Sequence, residues 1–458
     1  MKMVTRRNFF GGALAAGAVG LPGTGCASTG AAVLGAGGVR EPAREVKIAG
    51  DADIVVAGGG PAGISAAIGA ARAGAKVQLV ESEWSLGGVW TTGLVPGVLR
   101  FGSCDLDREI SERLERYHAR VERWPGRESA RYTNYLFEPE YMKLVLSELL
   151  SEAGVSYRLG TFVTAAETSG GEISAAVTES ASGRERWRAR TFVDCTGDGT
   201  LAARAGCGYD LGDGAGGPGQ PASLLALVTI PDDRGILEFV ANDPSNIDEK
   251  GRAVSLDVKH RLTRELRRIG IDNSYAAASL MRLSGNVFIF GGSHEYGVNL
   301  EDADSITAAT ERSRREILTV LDGLVAKGGE RWKGLRVVAT GERLAHRDAR
   351  RIHGRYTLTV EDAINGSRFE DAVARASSSV DVHATSRAAN DVRPEGAPGP
   401  TRYKPFDIPL RACRAKDLEN VYMAGRCISG DFITHASYRM TGTAVATGFA
   451  VGRHVGAS

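Results

Sequence analysis

Cysteine is scarce in this chain and never paired at short range. The six cysteines stand at positions 26, 104, 195, 207, 413 and 427, with no Cys-x-x-Cys. That spacing argues against a zinc site and against the redox pair of a disulfide reductase, and no metal is expected. Past Cys26, five cysteines cannot all pair, and most read as small buried apolar side chains. An excess of charge is also missing: 56 Lys+Arg face 55 Asp+Glu, a net charge of +1. A nucleic-acid or membrane-surface partner would call for a basic excess. Long apolar runs are lacking too, since nothing after the first thirty residues reaches the ~18 unbroken apolar residues of a membrane-spanning helix. What remains is a chain of 458 residues, long enough for two domains or for one with a large insertion.

Glycine, in contrast, is abundant: 59 residues, near twice the usual ~7%. The most informative glycines lie between Asp53 and Glu81, DIVVAGGGPAGISAAIGAARAGAKVQLVE. Ile54 to Ala57 read as a strand buried on both faces. Gly58, Gly60 and Gly63 supply G-x-G-x-x-G, with Pro61 and Ala62 between. The Ala-rich run from Ile64 to Arg72 suits a closely packed helix, and Gly74 closes it. Val77 to Val80 form a second strand, and Glu81 ends it 18 residues after Gly63. Gly58 permits the turn, Gly60 admits a pyrophosphate to the backbone, and Gly63 lets helix and strand approach. The pyrophosphate sits at the helix N-terminus, and the acid accepts ribose hydroxyls. Context carries this reading. Gly214/Gly216/Gly219 and Gly212/Gly214/Gly217 also match the glycine pattern, yet neither follows an apolar strand nor opens a helix.

The first residues read as a targeting segment. Thr5-Arg6-Arg7-Asn8-Phe9-Phe10 precedes a mildly apolar run from Gly11 to Leu21, the form of a twin-arginine signal over residues 1–27. Gly23-Thr24-Gly25-Cys26 has the outline of a lipoprotein box, imperfect at Gly23, which offers Cys26 for lipidation. Residues 28–50 read as a Gly/Ala/Ser linker. The expected location is the periplasm or cell envelope.

Further along, Gly87 and Gly88 follow Glu81 closely enough to lie against a bound dinucleotide. Pro139 opens a helix through Leu150. Val155 to Leu159, Thr161 to Ala165 and Arg190 to Asp194 read as strands, with a sharp turn at Cys195-Thr196-Gly197-Asp198-Gly199. This βα succession favours an α/β fold with a parallel central sheet. The middle of the chain lacks a phosphate-binding signature and reads as a mixed α+β cap, with a strand near Ala222–Ile230 and helices near Ala253–Ile269 and Asp304–Leu324. A basic cluster follows: Arg343, His346, Arg347, Arg350, Arg351, His353 and Arg355. It is either a solvated face or an anion site built on guanidinium groups. Ser379-Val380-Asp381-Val382-His383 alternates like a strand, and its Asp/His pair is ordinarily structural. Asn420 to Arg426 read as a strand ending at its glycine, Gly425, and Cys427 to Tyr438 as a loop carrying His435. A Gly/Ala-rich helix closes the chain, opening at Thr441-Gly442-Thr443-Ala444.

The segments Gly58–Gly63, Gly87–Gly93, Asp194–Gly199, Asp348–Gly354 and Ala424–Ser429, with the closing helix, together resemble the FAD-dependent oxidoreductase family near the fumarate reductase flavoproteins. The resemblance covers about residues 50 to 455. It implies a discontinuous Rossmann-like FAD domain, 51–215 with 405–458, interrupted by a cap or substrate domain, 216–404. It implies that Gly58, Gly60, Gly63 and Glu81 hold the ADP half of FAD, with Gly87 and Gly88 on the pyrophosphate side. It puts Val163 near adenine, and Asp198, Gly425 and Thr441–Ala444 near the remainder. Arg426 departs from the wider fold, where an acid is common after Ala-Gly.

The expected activity is hydride movement between a small organic substrate and flavin N5. His435 is the first candidate base, Arg439 an anion anchor, and Arg350 and Arg351 second-line anchors. No second nucleotide fingerprint is present, so the electron partner is expected to be oxygen, a quinone or a protein carrier. The alternatives are an FAD protein with non-redox chemistry and a cofactor-free surface or carbohydrate-binding protein on a decayed scaffold.

Overall fold

Ile54, Val55, Val56 and Ala57 have no exposed surface, as befits a strand covered on both faces by helices. They end strand β1, Lys47–Ala57. The computed structural model describes residues 45–99, 104–123, 133–214, 217–246, 255–348, 350–378, 380–392 and 403–458. The twin-arginine segment, Cys26 and residues 28–44 of the expected linker lie outside them. The linker was expected to reach residue 50, but β1 already begins at Lys47. The reason is a long parallel partner that pairs as far as Lys47 with Glu185.

Helix α1, Pro61–Arg72, follows β1 and leads to β2, Val77–Val80, parallel to β1. Helix α2, Pro139–Glu152, leads to β3, Ser156–Arg158, which adds parallel to β2. Strands β4, Phe162–Ser169, β5, Glu172–Ser180, and β6, Gly183–Asp194, form an antiparallel meander. The sheet order is β3-β2-β1-β6-β5-β4. Strand β6 is long enough to use its second edge twice. Residues 183–188 pair with β5, and residues 192–194 pair in parallel with a strand from the far end of the chain, Val421–Met423.

The middle of the chain builds a separate four-stranded antiparallel sheet in the order Ser279–Ser284, Val287–Gly291, Leu225–Thr229, Arg336–Thr340. Helices Ser255–Arg268 and Ala303–Lys327 accompany it. Its core includes Leu224, Val228, Leu266, Phe288, Phe290, Ile317, Leu321 and Trp332. The cap was assigned through residue 404. However, Ile352, Leu358, Ala363 and Ala376 pack in the first core, with Ile54 and Val421. The chain therefore returns to the first core about fifty residues earlier than expected.

The closing helix, Thr441–Gly456, is the main partner of α1. The two approach backbone to backbone. A Cβ at Gly448 would stand 2.2 Å from the Ala62 carbonyl oxygen, and one at Gly452 would stand 2.0 Å from that of Ala66. Glycine is required here by space. Gly452→Val forces the helices apart. A loss of about 1–3 kcal/mol of stability is expected, read as a lower midpoint of thermal unfolding. An unchanged midpoint would contradict this packing.

Candidate functional site

A cavity of about 500 Å³ runs from the first βα turn to the N-terminus of the closing helix. Its lining includes Gly58, Gly60, Pro61, Ala62, Glu81, Gly88, Val163, Asp198, Gly425, Arg439, Thr441 and Ala444. These come from both ends of the chain, joined by the pairing of Val421–Met423 with β6 and by the two-helix contact.

At one end, Gly58 turns the chain with φ +101°, and a Cβ there would strike Cys195 at 2.5 Å. Gly60 is different: a Cβ added to it meets nothing within 4 Å. Its backbone is extended, and it caps α1 without a side-chain hydrogen bond. The first N–H groups of α1 thus face open space, which suits an anion. Glu81, 4% exposed, accepts from the Gly59 N–H, the Ser82 hydroxyl and the Glu83 N–H. At the other end, the closing helix also lacks a side-chain cap. Thr441 Oγ1 and Thr443 Oγ1 are buried there with no hydrogen-bond partner among the described residues. The donor set fits a dinucleotide cofactor: an open helix N-terminus at each end, a ribose-accepting acid at the first and the orphaned Thr441 hydroxyl at the second.

Not every expected contact faces the cavity. Gly63 packs under it, since a Cβ would stand 1.7 Å from the Gly58 carbonyl oxygen. The Gly87 N–H bonds to the Gly59 carbonyl at 2.8 Å and so shapes the loop from behind. Gly442 is buried in the helix and lies outside the lining.

The wall between the two ends carries a charge cluster. Asp198 accepts from His346 Nε2 at 2.6 Å, Arg426 Nη2 at 2.8 Å and Arg343 Nη2 at 2.9 Å. Burial alone would raise its pKa, but His346, Arg426 and Arg343 outweigh this and hold the carboxyl well below its ordinary value. Arg426, standing where an acid is common in the wider fold, is thus answered by Asp198.

The proposed catalytic residues separate. Arg439 lines the cavity and donates to the Asp381 carbonyl at 2.7 Å and carboxylate at 3.1 Å. Arg350 pairs with Glu301 and donates to the Asp198 carbonyl. Arg351, 2% exposed, donates to the carbonyls of Gly430 and Gly212. Both therefore tie loops together and lie outside the cavity lining, although Arg351 Nη1 is buried without a partner among the described residues. His435 requires a correction. It lies on the helix Phe432–Tyr438, because Asp431 caps that segment through the Thr434 N–H. It is fully buried outside the lining, and its Nδ1 stands 3.8 Å from Asp348.

A second constellation, buried behind the cavity lining, adjoins Arg439. His383 Nε2 faces the Asp381 carboxylate at 3.5 Å. Its Nδ1 is buried without a partner among the described residues. Burial first, then the charge of Arg347, lowers His383 to about 4 against the opposing pull of Asp381, so the ring is neutral at pH 7. His294 stacks on Tyr275 with centroids 3.9 Å apart and meets His383 edge-on at 5.2 Å. The Asp381/His383 pair was visible in the sequence, where it read as structural. His294, Tyr275 and Tyr296 carried no signal, since no spacing rule connects them to residue 383.

The cysteines offer no thiolate. All five described thiols are free, and burial pushes Cys413 up to about 12 and Cys195 and Cys427 well above their ordinary value. No metal-binding cluster of His, Cys, Asp or Glu occurs among the described residues. Nor is any helix among them long and apolar enough to cross a membrane.

The model of a family described as FAD dependent oxidoreductase matches residues 53–457. Dihydrolipoyl dehydrogenase of Manduca sexta is 51% identical over 61 residues, a span of 13% of this chain and 12% of that protein. A geranylgeranyl bacteriochlorophyll reductase-like protein from Thermoplasma acidophilum is similar in structure at 12% identity. The TM-score is 0.42, over 89% of this chain and 77% of that one. An anhydrotetracycline hydroxylase from Streptomyces rimosus is similar at 17% identity and a TM-score of 0.42, over 67% of this chain and 54% of that one.

Gly60 offers a clean test of the cavity. Gly60→Val meets no protein atom within 4 Å of its Cβ and keeps an extended backbone. The unfolding midpoint of the cofactor-free protein should hold within the ±0.5 kcal/mol of an ordinary surface change. The visible flavin absorbance of the purified protein should be lost. Retained flavin would place the cofactor elsewhere.

Proposed function

The chain belongs to the FAD dependent oxidoreductase family, and from that premise we propose that it moves a hydride between a small organic substrate and flavin N5, outside the cytoplasm. The observation that carries this reading is continuity. One cavity joins Glu81 and the open N-terminus of α1 to Arg439 and the open N-terminus of the closing helix, and the Asp381–His383 pair adjoins Arg439.

Bound FAD supplies the two-electron acceptor, which amino-acid side chains lack. The protein's own groups do the rest. The N–H groups of α1 and the carboxylate of Glu81 take the ADP half, and Gly88 lets the neighbouring loop approach it. The first turn of the closing helix presents N–H groups and the Thr441 hydroxyl where negative charge develops. His383 is the base. Asp381 accepts from its Nε2–H and so leaves the lone pair on Nδ1, which takes the substrate proton. Electrons then pass to oxygen, a quinone or a protein carrier.

Export is part of the same reading. Thr5-Arg6-Arg7-Asn8-Phe9-Phe10 supports it, and a twin-arginine route carries proteins already folded around a cofactor. Arg6→Lys with Arg7→Lys is expected to leave the flavin-loaded protein in the cytoplasm on cell fractionation. Undiminished export would remove this part of the proposal.

Anaerobic mixing with sugars, hydroxy acids and steroids tests the chemistry. At least one class should bleach the flavin. His383→Gln should slow bleaching by about 10²-fold or more, with flavin content unchanged. If no compound bleaches the flavin, the non-redox alternative gains, and an unaffected His383→Gln rate would remove the assigned base.

A further inference from the structure

Arg439 lines the cavity, Arg347 stands behind it close enough to feel its charge, and the carboxylate of Asp381 acts on both. Arg439 has that carboxylate, Asp381, and the same Asp381 also faces His383. Arg347 pairs with no carboxylate among the described residues. Its Nη1 donates to the Pro221 carbonyl at 2.6 Å and the Ser223 hydroxyl at 3.1 Å, and its Nη2 faces His294 Nε2 at 3.4 Å. Burial first, then the positive charge of Arg439, lowers Arg347 to about 10. The two cations therefore feel each other in a desolvated setting.

The histidines add no compensating charge. Tyr296 donates its hydroxyl to the Ser274 carbonyl at 3.2 Å, so it accepts from His294 Nδ1 at 3.3 Å. His294 Nε2 is then the acceptor that holds Arg347. Burial, Arg347 and His383 keep His294 well below its ordinary pKa, hence neutral. His383 is neutral as well. At neutral pH Arg347, Arg439 and Asp381 thus carry one net positive charge; Arg123 adds another buried cation near Asp381, and the nearby carboxyl of Asp348 is shared between Arg351 and Arg439. A buried excess cation is costly, and planar guanidinium forks are suited to a carboxylate.

We propose that the substrate carries a carboxylate bound between Arg347 and Arg439, which holds its reacting carbon beside His383 Nδ1. This inference rests on the oxidoreductase reading above. For a 2-hydroxy acid the balance is complete. With FAD held in the cavity the flavin would be the acceptor of the C–H hydride, His383 Nδ1 would take the hydroxyl proton, and the carbon–oxygen double bond would form. The carboxylate also answers the charge of Arg347 that suppresses protonation of His383, so binding strengthens the base it is presented to.

The test uses the flavin-loaded protein and two unreactive probes of similar shape, oxalate and its neutral diamide oxamide. Arg439 lines the flavin cavity, so occupancy is read as a shift in the visible flavin spectrum. Oxalate should shift it saturably and bind at least about tenfold more tightly than oxamide. Arg347→Met should weaken oxalate at least about tenfold, with Arg347→Lys between the two and flavin content unchanged in both. Equal binding of oxalate and oxamide, or an Arg347→Met affinity within about twofold of the original, overturns the proposal. If Arg347→Met fails to fold, the wild-type comparison of the two probes still decides. Neutral alcohols bleaching the flavin as fast as 2-hydroxy acids would leave the oxidoreductase reading standing and remove this one. Arg347-dependent oxalate binding with no bleaching by any compound would do the reverse.

Discussion

The site depends on how closely two helices can approach. Helix α1 and the closing helix meet with Gly448 and Gly452 against the backbone carbonyls of Ala62 and Ala66. No side chain fits between them. That contact holds both helix N-termini toward one cavity, although some 380 residues of chain separate them. Each N-terminus lacks a side-chain cap, so each presents unsatisfied N–H groups and positive helix dipole to the same space. Wider packing would splay the termini and divide the cavity. The glycine and alanine content of both helices is thus a requirement of geometry, and the cofactor is gripped by it.

Electrostatics then divide the site into a balanced and an unbalanced part. Asp198 is answered by Arg343, Arg426 and His346, all within 2.9 Å. Such a cluster stiffens the wall and holds the segment after β6 to the basic segment from the cap. Around Asp381 the account is reversed: one carboxylate bonds Arg439 and faces His383, and Arg347 nearby forms no ion pair with a carboxylate among the described residues. Structural ion clusters tend toward neutrality because buried excess charge is expensive. The proposed substrate carboxylate would answer this imbalance.

The fingerprint glycines were legible because each answers a local demand. Gly58 needs a left-handed turn and Gly60 needs an empty approach, and both follow from a strand–turn–helix read along a single stretch. The decoy glycines at 212–219 show the limit of pattern alone. Gly212 lies in a loop tied by its carbonyl to Arg351. The expected loop around His435 shows the same limit. His435 looked well placed in chain order, just before the flavin-facing helix. But the Asp431 cap winds that segment into a helix and turns the ring into the core. The basic cluster showed no internal order in sequence either. The structure sorts it: Arg343 and His346 on Asp198, Arg350 and Arg351 on backbone carbonyls, and Arg347 beside His294.

By itself the sequence determined the nucleotide grip: the βα turn, Glu81 at the end of β2, and a Gly/Ala helix at the chain's end suited to close packing. These are local matters of backbone conformation and side-chain size, so neighbours in sequence suffice to express them. Tertiary structure alone decided which charges meet. His294, Arg347, the Asp381/His383 pair and Arg439 come from four separate segments, and the field each feels is set by distances across space. Burial, which lowers His383 to about 4 and Arg347 to about 10, exists only once the chain is folded. The grip on the cofactor is therefore written along the chain, and the chemistry beside it arises where the cap meets the closing segment.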